Sequence, residues 1–542
     1  MGLTTDRALY QKTYAPGSAE RNELGNAIKS LRAKLPEQIP IKSQGKIIND
    51  KYSEHQINPS RLQETVAHFA SATPQNVEAC IEAALATRQT WGTLPFRDRA
   101  EVFLKAADLI AGRYRSDIVA ATMLGQGKNA WQAEIDAAAE ICDFFRAYVY
   151  EGARVQMEQP NVAHTNGVEN WIEQRPLDGF VYAVTPFNFT ALGATLVGAP
   201  AIMGNPVIWK PSPFAVHASW LLHQILIEAG LPQDVVQFLP GDAEMISDIV
   251  LNRPEFSGLS YIGSTAVLKH LMGTIGKATA EGKYQNFPRV VGEAGGKNYH
   301  LIHASANVDH AVKSTVRAAF ELSGQKCSAC SRAYVAESIW PQFKEALVKE
   351  TSALKVGDPE DYVNFVNPVI HERAFDSLQT VITNAKNDAA LELITGGKAD
   401  KSKGYYVDPT VYTATDPRHD IMSRELFGPI LAVHVYPDSE FSKMPELIDT
   451  TSSYGLTGAV FAEDQEAIRF AKDALSQSAG NFYINSKCTG AVVAQQPFGG
   501  ARASGTNDKT GTMSLLLRWT SPRTVMEGST PLENVLYPSN EV

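Results

Sequence analysis

The spacing of hydrophobic residues changes along the chain and divides it into segments of different predicted structure. Residues 1–60 are polar and interrupted by prolines, so we expect an irregular arm that lies on the body of the protein. Over roughly 75–155, apolar residues recur every three or four positions, as in VEACIEAALATRQTW (77–91) and RAEVFLKAADLIAGRY (99–114). This spacing predicts amphipathic helices.

From residue 180 onward, short buried strands alternate with helices. The predicted strands are FVYAV (180–184), VIWK (207–210), VVQFL (235–239) and LSYIG (259–263), and the helices cover 190–203 and 214–229 and follow Asp242 and Ser264. After residue 296 the alternation resumes with YHLIHA, a helix near 307–322, RAYVAES and a helix near 340–353. Such alternation predicts parallel βαβ units, in a doubly wound α/β sheet followed by a second α/β domain.

Two further segments lack helical spacing. Residues 155–178 are expected to form a β-hairpin, and the tail 516–542 contains WTSPRTVME, which is typical of extended structure.

Composition narrows the class of protein. The 542 residues are 44% hydrophobic and 20% charged with a net charge of -10, which is ordinary for a globular protein and argues against a nucleic-acid partner. The longest apolar stretches, such as 191–203, fall short of the ~20 residues that a spanning helix needs. Five cysteines suggest no disulfide framework and favour a reducing compartment.

The segment SGQKCSAC (323–330) carries the most chemistry. Cys327 and Cys330 are either two buried small residues, a redox pair, or half of a zinc site. The zinc interpretation lacks a second nearby Cys/His pair, so no metal is predicted, and the redox interpretation lacks a thioredoxin-like context.

Two other segments suggest polar groups at strand ends. In VVGEAGGKN (290–298), Glu293 lies among glycines, where it serves either turn formation or general-base catalysis. In TPFNF (185–189), Asn188 follows a strand and is either a turn residue or an amide donor to an oxyanion.

Three weaker segments are WKPSP (209–213), YIGSTAV (261–267) and RELFGPI (424–430). In YIGSTAV, a strand is followed by Gly-Ser-Thr and then by a helix, an arrangement that can form a phosphate-binding site. Ser and Thr are, however, also ordinary residues at the start of a helix. No G-x-G-x-x-G follows any predicted strand.

Together and in this order, the six segments resemble the aldehyde dehydrogenase superfamily over roughly residues 60–525. The resemblance implies a Rossmann-type NAD-binding domain at 61–295, interrupted by an oligomerisation hairpin at 155–178. It also implies a catalytic domain at 296–485 and, at 486–542, a return segment with a C-terminal oligomerisation strand, behind an N-terminal arm at 1–60.

By this resemblance, Cys327 is the nucleophile, Glu293 the general base, and Asn188 the oxyanion donor together with the backbone N–H of Cys327. The cofactor is NAD, and its implied contacts are Lys210, Ser212, Gly263, Ser264, Glu425 and Phe427. Two departures are Pro213, where an acidic residue is frequent, and Leu268, where glycine is frequent. The proline at position 213 leaves the preference for NAD over NADP open.

A narrower resemblance rests on GEAGGKNYH (292–300), SGQKCSACSR (323–332) and QQPFGGARASGTND (495–508). These segments are similar to the stand-alone Δ1-pyrroline-5-carboxylate dehydrogenases, which oxidise glutamate γ-semialdehyde to glutamate in proline catabolism. The implied substrate contacts are Phe189, Lys326, Ser328, Gly490, Ala491 and Phe498, with Glu140 as a weaker candidate for the α-ammonium group. In the eukaryotic enzymes serine is frequent at the position of Ala491, so the resemblance implies one side-chain donor fewer for the substrate carboxylate, while the backbone donors of Gly490 and Ala491 remain.

Two alternatives stay open: a dehydrogenase for another small aldehyde, and a catalytically silent family member acting as a binding protein. The resemblance further implies a homodimer or a larger dimer-based oligomer and a functional pairing with proline dehydrogenase. The implied location is the mitochondrial matrix in a eukaryote or the cytoplasm in a bacterium. Cys80, Cys142, Cys330 and Cys488 are expected to be structural.

Overall fold

Two largely parallel β-sheets follow one another along the chain, in a computed structural model that describes residues 11–162 and 166–540. The first sheet contains the strands β1 (Phe180–Val184), β2 (Val207–Lys210), β3 (Val236–Phe238), β4 (Phe256–Ile262) and β5 (Arg289–Glu293). Their order is β5-β4-β1-β2-β3, and every neighbouring pair is parallel. The order reverses between β1 and β4, and ligands of such sheets bind beyond the carboxyl ends of the strands at that point.

Helices cover the first sheet because its strands are apolar on both faces. They are Pro74–Trp91, Phe96–Ala111, Arg115–Gln126, Ala130–Ala133, Ile141–Met157, Ala199–Ile202, Val216–Ala229, Ala243–Leu251 and Thr265–Ala280. Side-chain caps start several of them. Thr73 forms a capping box with Asn76, and Asp242 and Ser264 accept the backbone N–H groups of Met245 and Val267.

The second sheet contains β6 (Asn298–Ile302), β7 (Cys330–Ala336), β8 (Leu391–Thr395), β9 (Thr410–Ala414), β10 (Ile430–Tyr436), β11 (Thr457–Phe461) and β12 (Asn481–Ile484). The order is β8-β9-β10-β7-β6-β11-β12, with β8 antiparallel to β9 and the other pairs parallel. Its helices are Val308–Phe320, Trp340–Ala353, Glu372–Ala385, Asp420–Ser423, Met444–Thr451 and Gln465–Ala474. The predicted domain boundary at 295/296 lies in the loop between β5 and β6.

Short paired strands complete the second half of the chain. They are Lys355–Val356 with Asn364–Val366, Ala399–Asp400 with Tyr406–Val407, and Tyr454–Gly455 with Ala501–Arg502. The short helix Met513–Leu517 follows them.

The expectation of an irregular arm at 1–60 is wrong for residues 11–60, whereas residues 1–10 lie outside the described part. The helix Ala19–Arg32 buries Leu24 and Ile28, which are one helical turn apart, and packs against Arg115–Gln126. Four strands follow, and two of them flank the long strand Arg61–Phe69: Glu37–Ile39, Ile41–Ser43, Lys46–Asn49 and Glu54–Asn58. The prolines lie between these elements and do not prevent them.

The hairpin predicted at 155–178 is also wrong in the described residues. Residues 155–157 end the helix Ile141–Met157, and one strand, Val168–Pro176, pairs antiparallel with Thr520–Gly528. The strand partner comes from the far end of the chain, so local spacing could not identify it. The extended structure predicted for WTSPRTVME is confirmed.

Two helical stretches have the wider π-helical turn: Glu134–Glu140 and Ala194–Gly198. Such turns are frequent at functional sites because they shift the side chains on one side of a helix. In the described residues, no helix combines the length and apolar character needed to cross a membrane.

Candidate active site

The loop that carries Cys327 is entered through a strained turn. Leu322, Ser323 and Gly324 are consecutive residues in the left-handed region, with φ values of 51°, 54° and 69°. A side chain at Gly324 would meet the carbonyl oxygen of Gly428 at 2.3 Å, so only glycine fits there. The turn places Cys327 just before β7, and such strain persists where the surroundings fix the backbone.

Asn298 fixes the other side of this loop. Its Nδ2 donates to the carbonyl oxygens of Cys327 at 2.7 Å and Ala329 at 2.8 Å, and its Oδ1 accepts the N–H of Thr457 at 3.0 Å. Asn298 is the first residue of β6 and is buried. Sequence reasoning gave it no role, because a buried Asn at a strand start carries no signal of its partners.

The thiol of Cys327 is half-buried and in a negative environment. Burial raises its pKa to about 12, and the carboxylates of Glu425 and Glu293 contribute to the increase. The side chain is therefore a thiol at neutral pH in the cofactor-free chain, and a positive charge or a proton acceptor nearby would favour the thiolate.

Asn188 lies beyond the carboxyl end of β1, with only 5% of its surface exposed. Its Nδ2 donates to the carbonyl oxygen of Gln325 at 3.1 Å, two residues before Cys327. One amide hydrogen therefore holds the side chain beside the nucleophile loop, and the second is left for an oxyanion.

The backbone that follows Asn188 is held by Asp136 in the π-helical turn. Asp136 accepts the N–H groups of Thr190 at 2.9 Å and Ala191 at 2.8 Å, and the amine of Lys128 at 2.6 Å. All of these contacts are buried. Asp136 was not predicted from sequence, since the backbone N–H groups that it holds lie more than fifty positions away.

Glu293, the last residue of β5, has a buried carboxylate with one oxygen in use. Its Oε2 accepts the N–H of Gly500 at 2.8 Å, whereas Oε1 has no hydrogen-bond partner among the described residues. Burial raises the pKa of Glu293 well above its usual range, against the opposing effect of the Gly500 N–H and the Lys509 charge. A carboxylate of raised pKa with a free oxygen suits a general base.

Lys509 holds the segment that orients Glu293. Its amine donates to the carbonyl oxygens of Gly499 at 2.6 Å and Gly480 at 2.8 Å. Gly499 separates the two side chains: a Cβ there would lie 3.2 Å from Oε1 of Glu293 and 3.3 Å from Cδ of Lys509. Sequence reasoning missed Lys509.

Four of the predicted cofactor residues lie at the carboxyl ends of β2 and β4, the two strands that flank β1 in the first sheet. Lys210 ends β2 with Ser212 two residues later, and Gly263 and Ser264 follow β4. Ser264 caps the helix Thr265–Ala280, and the N–H of Gly263 donates to the carbonyl oxygen of Glu293 at 3.2 Å. The base and this helix start are therefore directly connected.

The chemistry of these groups fits a dinucleotide. Burial lowers the pKa of Lys210 to about 8, and no ion pair or hydrogen bond from the described residues engages its amine. An unused buried amine and a helix N-terminus at the same edge of the sheet together are a donor set suited to ribose hydroxyls and phosphate oxygens.

Glu425 and Phe427 approach the same region from the second sheet. Oε1 of Glu425 accepts the N–H of Gly296 at 2.8 Å, and a Cβ on Gly295 would collide with this carboxylate. Burial raises the pKa of Glu425 to about 7. Phe427 has a φ of 54°, and its ring meets the ring of Phe187 edge to face at 5.9 Å.

The predicted anchor for the substrate carboxylate is partly assembled. The hydroxyls of Ser328 and Thr489 are 2.7 Å apart, which joins the nucleophile loop to the segment containing Gly490 and Ala491. Gly490 has a φ of 88°, and a Cβ there would lie 2.8 Å from the amine of Lys487. Lys487 is a cation beside this segment that sequence reasoning missed.

Lys326 is not a free cation at this anchor. Its amine pairs with Glu321 at 2.9 Å, and Lys487 pairs with the same oxygen at 3.3 Å. Although burial raises the pKa of Glu321, the two lysines outweigh it and hold the pKa below its usual value. Lys326 therefore neutralises Glu321 in this state.

The remaining predicted substrate residues lie at the edges of this region. Phe189 is half-buried beneath the amine of Lys128, which lies 4.1 Å from the ring centre. Phe498 precedes Gly499 and accepts the N–H of Thr510 at 2.9 Å. Burial and the charge of Asp136 raise the pKa of Glu140 to about 8.

A thiol, an amide donor and a carboxylate with a raised pKa thus surround one point near the switch of the first sheet. This set can form and hydrolyse a thioester from a carbonyl compound. The five cysteines are free thiols, and Cys80, Cys142, Cys330 and Cys488 are buried.

Comparisons with known proteins identify the family. The model of the aldehyde dehydrogenase family matches residues 48–525. The mitochondrial delta-1-pyrroline-5-carboxylate dehydrogenase of Emericella nidulans is 54% identical over 98% of this chain and 93% of its own length. The human mitochondrial enzyme of the same name is 45% identical over 97% of this chain and 92% of its own length.

A solved structure is also similar to this chain over its whole length. The crystal structure of the delta-pyrroline-5-carboxylate dehydrogenase of Mycobacterium tuberculosis, bound with NAD, is 44% identical with a TM-score of 0.94. The match covers 99% of this chain and 98% of that one.

Proposed function

The chain belongs to the aldehyde dehydrogenase family, and from that premise we propose that it is an NAD-dependent L-glutamate γ-semialdehyde dehydrogenase. The semialdehyde is in equilibrium with Δ1-pyrroline-5-carboxylate, and its oxidation to L-glutamate is the second step of proline catabolism. The observation that carries the proposal is the convergence of Cys327, Asn188 and Glu293 beside an anchor suited to a carboxylate.

Cys327 is the nucleophile. Its thiol loses its proton to water, the thiolate attacks the aldehyde carbon, and the developing oxyanion accepts hydrogen bonds from the Asn188 amide and the Cys327 backbone N–H. A donor of this kind contributes ~3–4 kcal/mol to the transition state. The carbonyl oxygen of Gln325 already orients Asn188 for this role, so little rearrangement is needed.

Glu293 completes the reaction. NAD, when bound, accepts the hydride from the reacting carbon, and its positively charged ring opposes the two carboxylates that disfavour the Cys327 thiolate. The acyl group is then held on Cys327 as a thioester. Glu293 takes a proton from water, the resulting hydroxide attacks the thioester, and glutamate leaves with the thiol restored.

The cofactor contacts are Lys210, Ser212, Gly263, Ser264, Glu425 and Phe427. Lys210 offers its unpaired amine to a ribose, the start of the helix Thr265–Ala280 accepts the pyrophosphate, and Glu425 accepts from the second ribose. Pro213 removes one acidic group from the adenosine side, so NADP is expected to be a weaker but measurable cofactor.

The substrate contacts are Phe189, Lys326, Ser328, Gly490, Ala491 and Phe498. The left-handed backbone at Gly490 and the hydroxyl of Ser328 favour a carboxylate at this end of the substrate. Lys326 and Lys487 share the single carboxylate of Glu321, so the pair leaves a net positive charge beside it. The aromatic rings of Phe189 and Phe498 flank its aliphatic carbons.

The assembly and the location are part of the same proposal. The two-stranded sheet of Val168–Pro176 and Thr520–Gly528 pairs with no third strand in the described residues, and a neighbouring subunit of a homodimer or larger oligomer would extend or cover it. The proposed location is the mitochondrial matrix, which is supported by the names of the Emericella and human enzymes, both given as mitochondrial. Proline dehydrogenase, whose product is this substrate, is the functional partner.

The test is the rate of NADH formation with glutamate γ-semialdehyde, with propionaldehyde, and with NADP in place of NAD. We expect the highest kcat/KM for the semialdehyde with NAD, and no turnover in Cys327→Ala although that variant still binds NAD. A preference for propionaldehyde would favour a dehydrogenase of another aldehyde. No turnover of any aldehyde by the unmodified chain would favour a silent binding protein.

A further inference from the structure

Three buried side chains from distant parts of the chain meet behind the nucleophile loop. They are His300 in β6, Cys330 at the start of β7 and Cys488 after β12, and their nitrogen and sulfur atoms all lie within 4.8 Å of one another. In the described part of the chain, no other three His, Cys or carboxylate side chains meet this spacing. The proposed chemistry uses none of the three.

The hydrogen bonds of His300 fix its tautomer and leave the unprotonated ring nitrogen beside Cys488. Nδ1 lies 2.8 Å from Oγ1 of Thr315, whose own hydroxyl proton is donated to the carbonyl oxygen of Ala311 at 2.7 Å. Nδ1 therefore carries the proton and donates it to Thr315. Nε2 is left unprotonated and accepts the N–H of Cys488 at 3.2 Å, a long hydrogen bond that a bond from Nε2 to an ion would replace.

This arrangement is the one that metal-binding histidines have. A ligating imidazole donates its other N–H to a fixed partner, which sets the tautomer and the ring orientation. Thr315 is that partner here, and it is held in turn by the helix Val308–Phe320.

The two sulfurs make weak contacts only, among them contacts with each other and with backbone carbonyl oxygens. Sγ of Cys488 lies 3.6 Å from the carbonyl oxygen of Ser328, and Sγ of Cys330 lies 3.5 Å from that of Arg332. Thiols are weak donors, so little is lost when these contacts are replaced by bonds to a metal. With Zn–S bonds of ~2.3 Å and Zn–N bonds of ~2.0 Å, ligands around one ion lie ~4 Å apart, which small side-chain movements would achieve.

We propose that His300, Cys330 and Cys488 form a buried site for a soft divalent cation of the zinc class. Two sulfurs and an imidazole nitrogen are the donors that such ions prefer. The C-x-x-C segment thus contributes one ligand, Cys330, and the Cys/His pair that is absent from the neighbouring sequence is supplied by β6 and the segment after β12.

The site would connect two functional segments. Cys330 is three residues after Cys327, and Cys488 is adjacent to Thr489, whose hydroxyl contacts Ser328. A bound ion therefore fixes the nucleophile loop relative to the substrate anchor and is expected to raise the thermal unfolding midpoint.

The test uses cadmium as the probe and the full chain carrying Cys327→Ser, so that the reactive thiol cannot bind the ion. After removal of metal and addition of Cd²⁺, we expect one ion per chain after desalting and a thiolate-to-cadmium charge-transfer band. X-ray absorption at the cadmium edge is expected to show two sulfur ligands and one nitrogen ligand.

Matched variants in the same background identify the ligands. Cys330→Ser and Cys488→Ser should each lose the band, whereas Cys80→Ser, another buried cysteine outside the cluster, should keep it. Thr315→Val should weaken binding by ~10–100-fold.

Two results would overturn the proposal. One is a folded parent chain that retains no cadmium or retains it equally in the Cys330 and Cys488 variants. The other is native protein in which these two cysteines are joined as a disulfide. Because the readout is metal binding in a chain without the nucleophile, it is independent of the proposed dehydrogenase activity.

Discussion

Substitution of Asn298 by aspartate tests whether the nucleophile loop must be held from behind. The change keeps the size of the side chain and the acceptor for the Thr457 N–H. It removes the NH2 group that donates to the carbonyl oxygens of Cys327 and Ala329 at 2.7 and 2.8 Å. The ionised carboxylate of the aspartate would lie beside both carbonyl oxygens and could not donate a hydrogen bond to either.

The magnitude follows from the number of groups left unsatisfied. Each buried carbonyl that loses its partner costs ~1–3 kcal/mol, so two cost ~2–6 kcal/mol of folding free energy. Relief of this penalty requires the loop of Cys327 to move. A displacement of ~1 Å at a reacting atom lowers the rate by ~100-fold, and we expect a fall of this order in kcat.

Asn205 offers a chemically matched control. Its Nδ2 donates to the carbonyl oxygens of Pro200 and Trp519 at 2.9 Å each, and its Oδ1 accepts the N–H of Leu177 at 2.8 Å. Asn205→Asp therefore breaks the same bonds away from the site. It should lower the thermal unfolding midpoint about as much as Asn298→Asp while kcat stays close to that of the unmodified enzyme.

The assay is steady-state NADH formation at saturating semialdehyde and NAD, with unfolding followed by fluorescence on the same samples. The reasoning would be refuted if Asn298→Asp, still folded and still binding NAD, kept its full kcat. A loss of kcat equal to that of Asn205→Asp would also refute it, because general destabilisation would then explain both.

Three further predictions concern the chemical steps. Glu293→Gln should give a rapid burst of NADH followed by slow turnover, since acylation proceeds without the base and hydrolysis does not; fast steady turnover would exclude Glu293 as the base. Asn188→Ala should lower kcat by ~100–1000-fold with an unchanged KM for NAD, and an unchanged kcat would contradict the oxyanion role. Lys509→Met should move the acidic limb of the pH–rate profile to higher pH, because the lysine charge now lowers the pKa of Glu293 against the larger effect of burial. Lys386→Met, which replaces a lysine far along the sequence from this segment, serves as its control, and a shift to lower pH would contradict the prediction.

Local spacing identified the first sheet well because its strands are buried on both faces. FVYAV and VIWK coincide with β1 and β2, since a short apolar run between turn residues has few other solutions. The same reasoning failed for residues 11–60 and 155–178, where polar sequence hid a helix and a strand whose partners are remote.

In the site, too, sequence predicted the residues that stand in unusual local segments and missed those that depend on remote partners. Cys327, Glu293 and Asn188 are each marked by unusual local sequence, and the resemblance assigned their roles. Asn298, Asp136 and Lys509 are not marked in this way, because their effect depends on backbone groups from other elements that only the fold brings near.

The direction of the Asp136 side chain depends on the number of residues in the π-helical turn Glu134–Glu140. Removing one residue there would restore 3.6 residues per turn and rotate the flanking side chains by ~100° relative to each other. Asp136 would then point away from the Thr190 and Ala191 N–H groups that it holds. A surface helix tolerates insertions and deletions, but this segment should not. We therefore expect its length to be kept during evolution, even at positions where the side chain itself can be replaced.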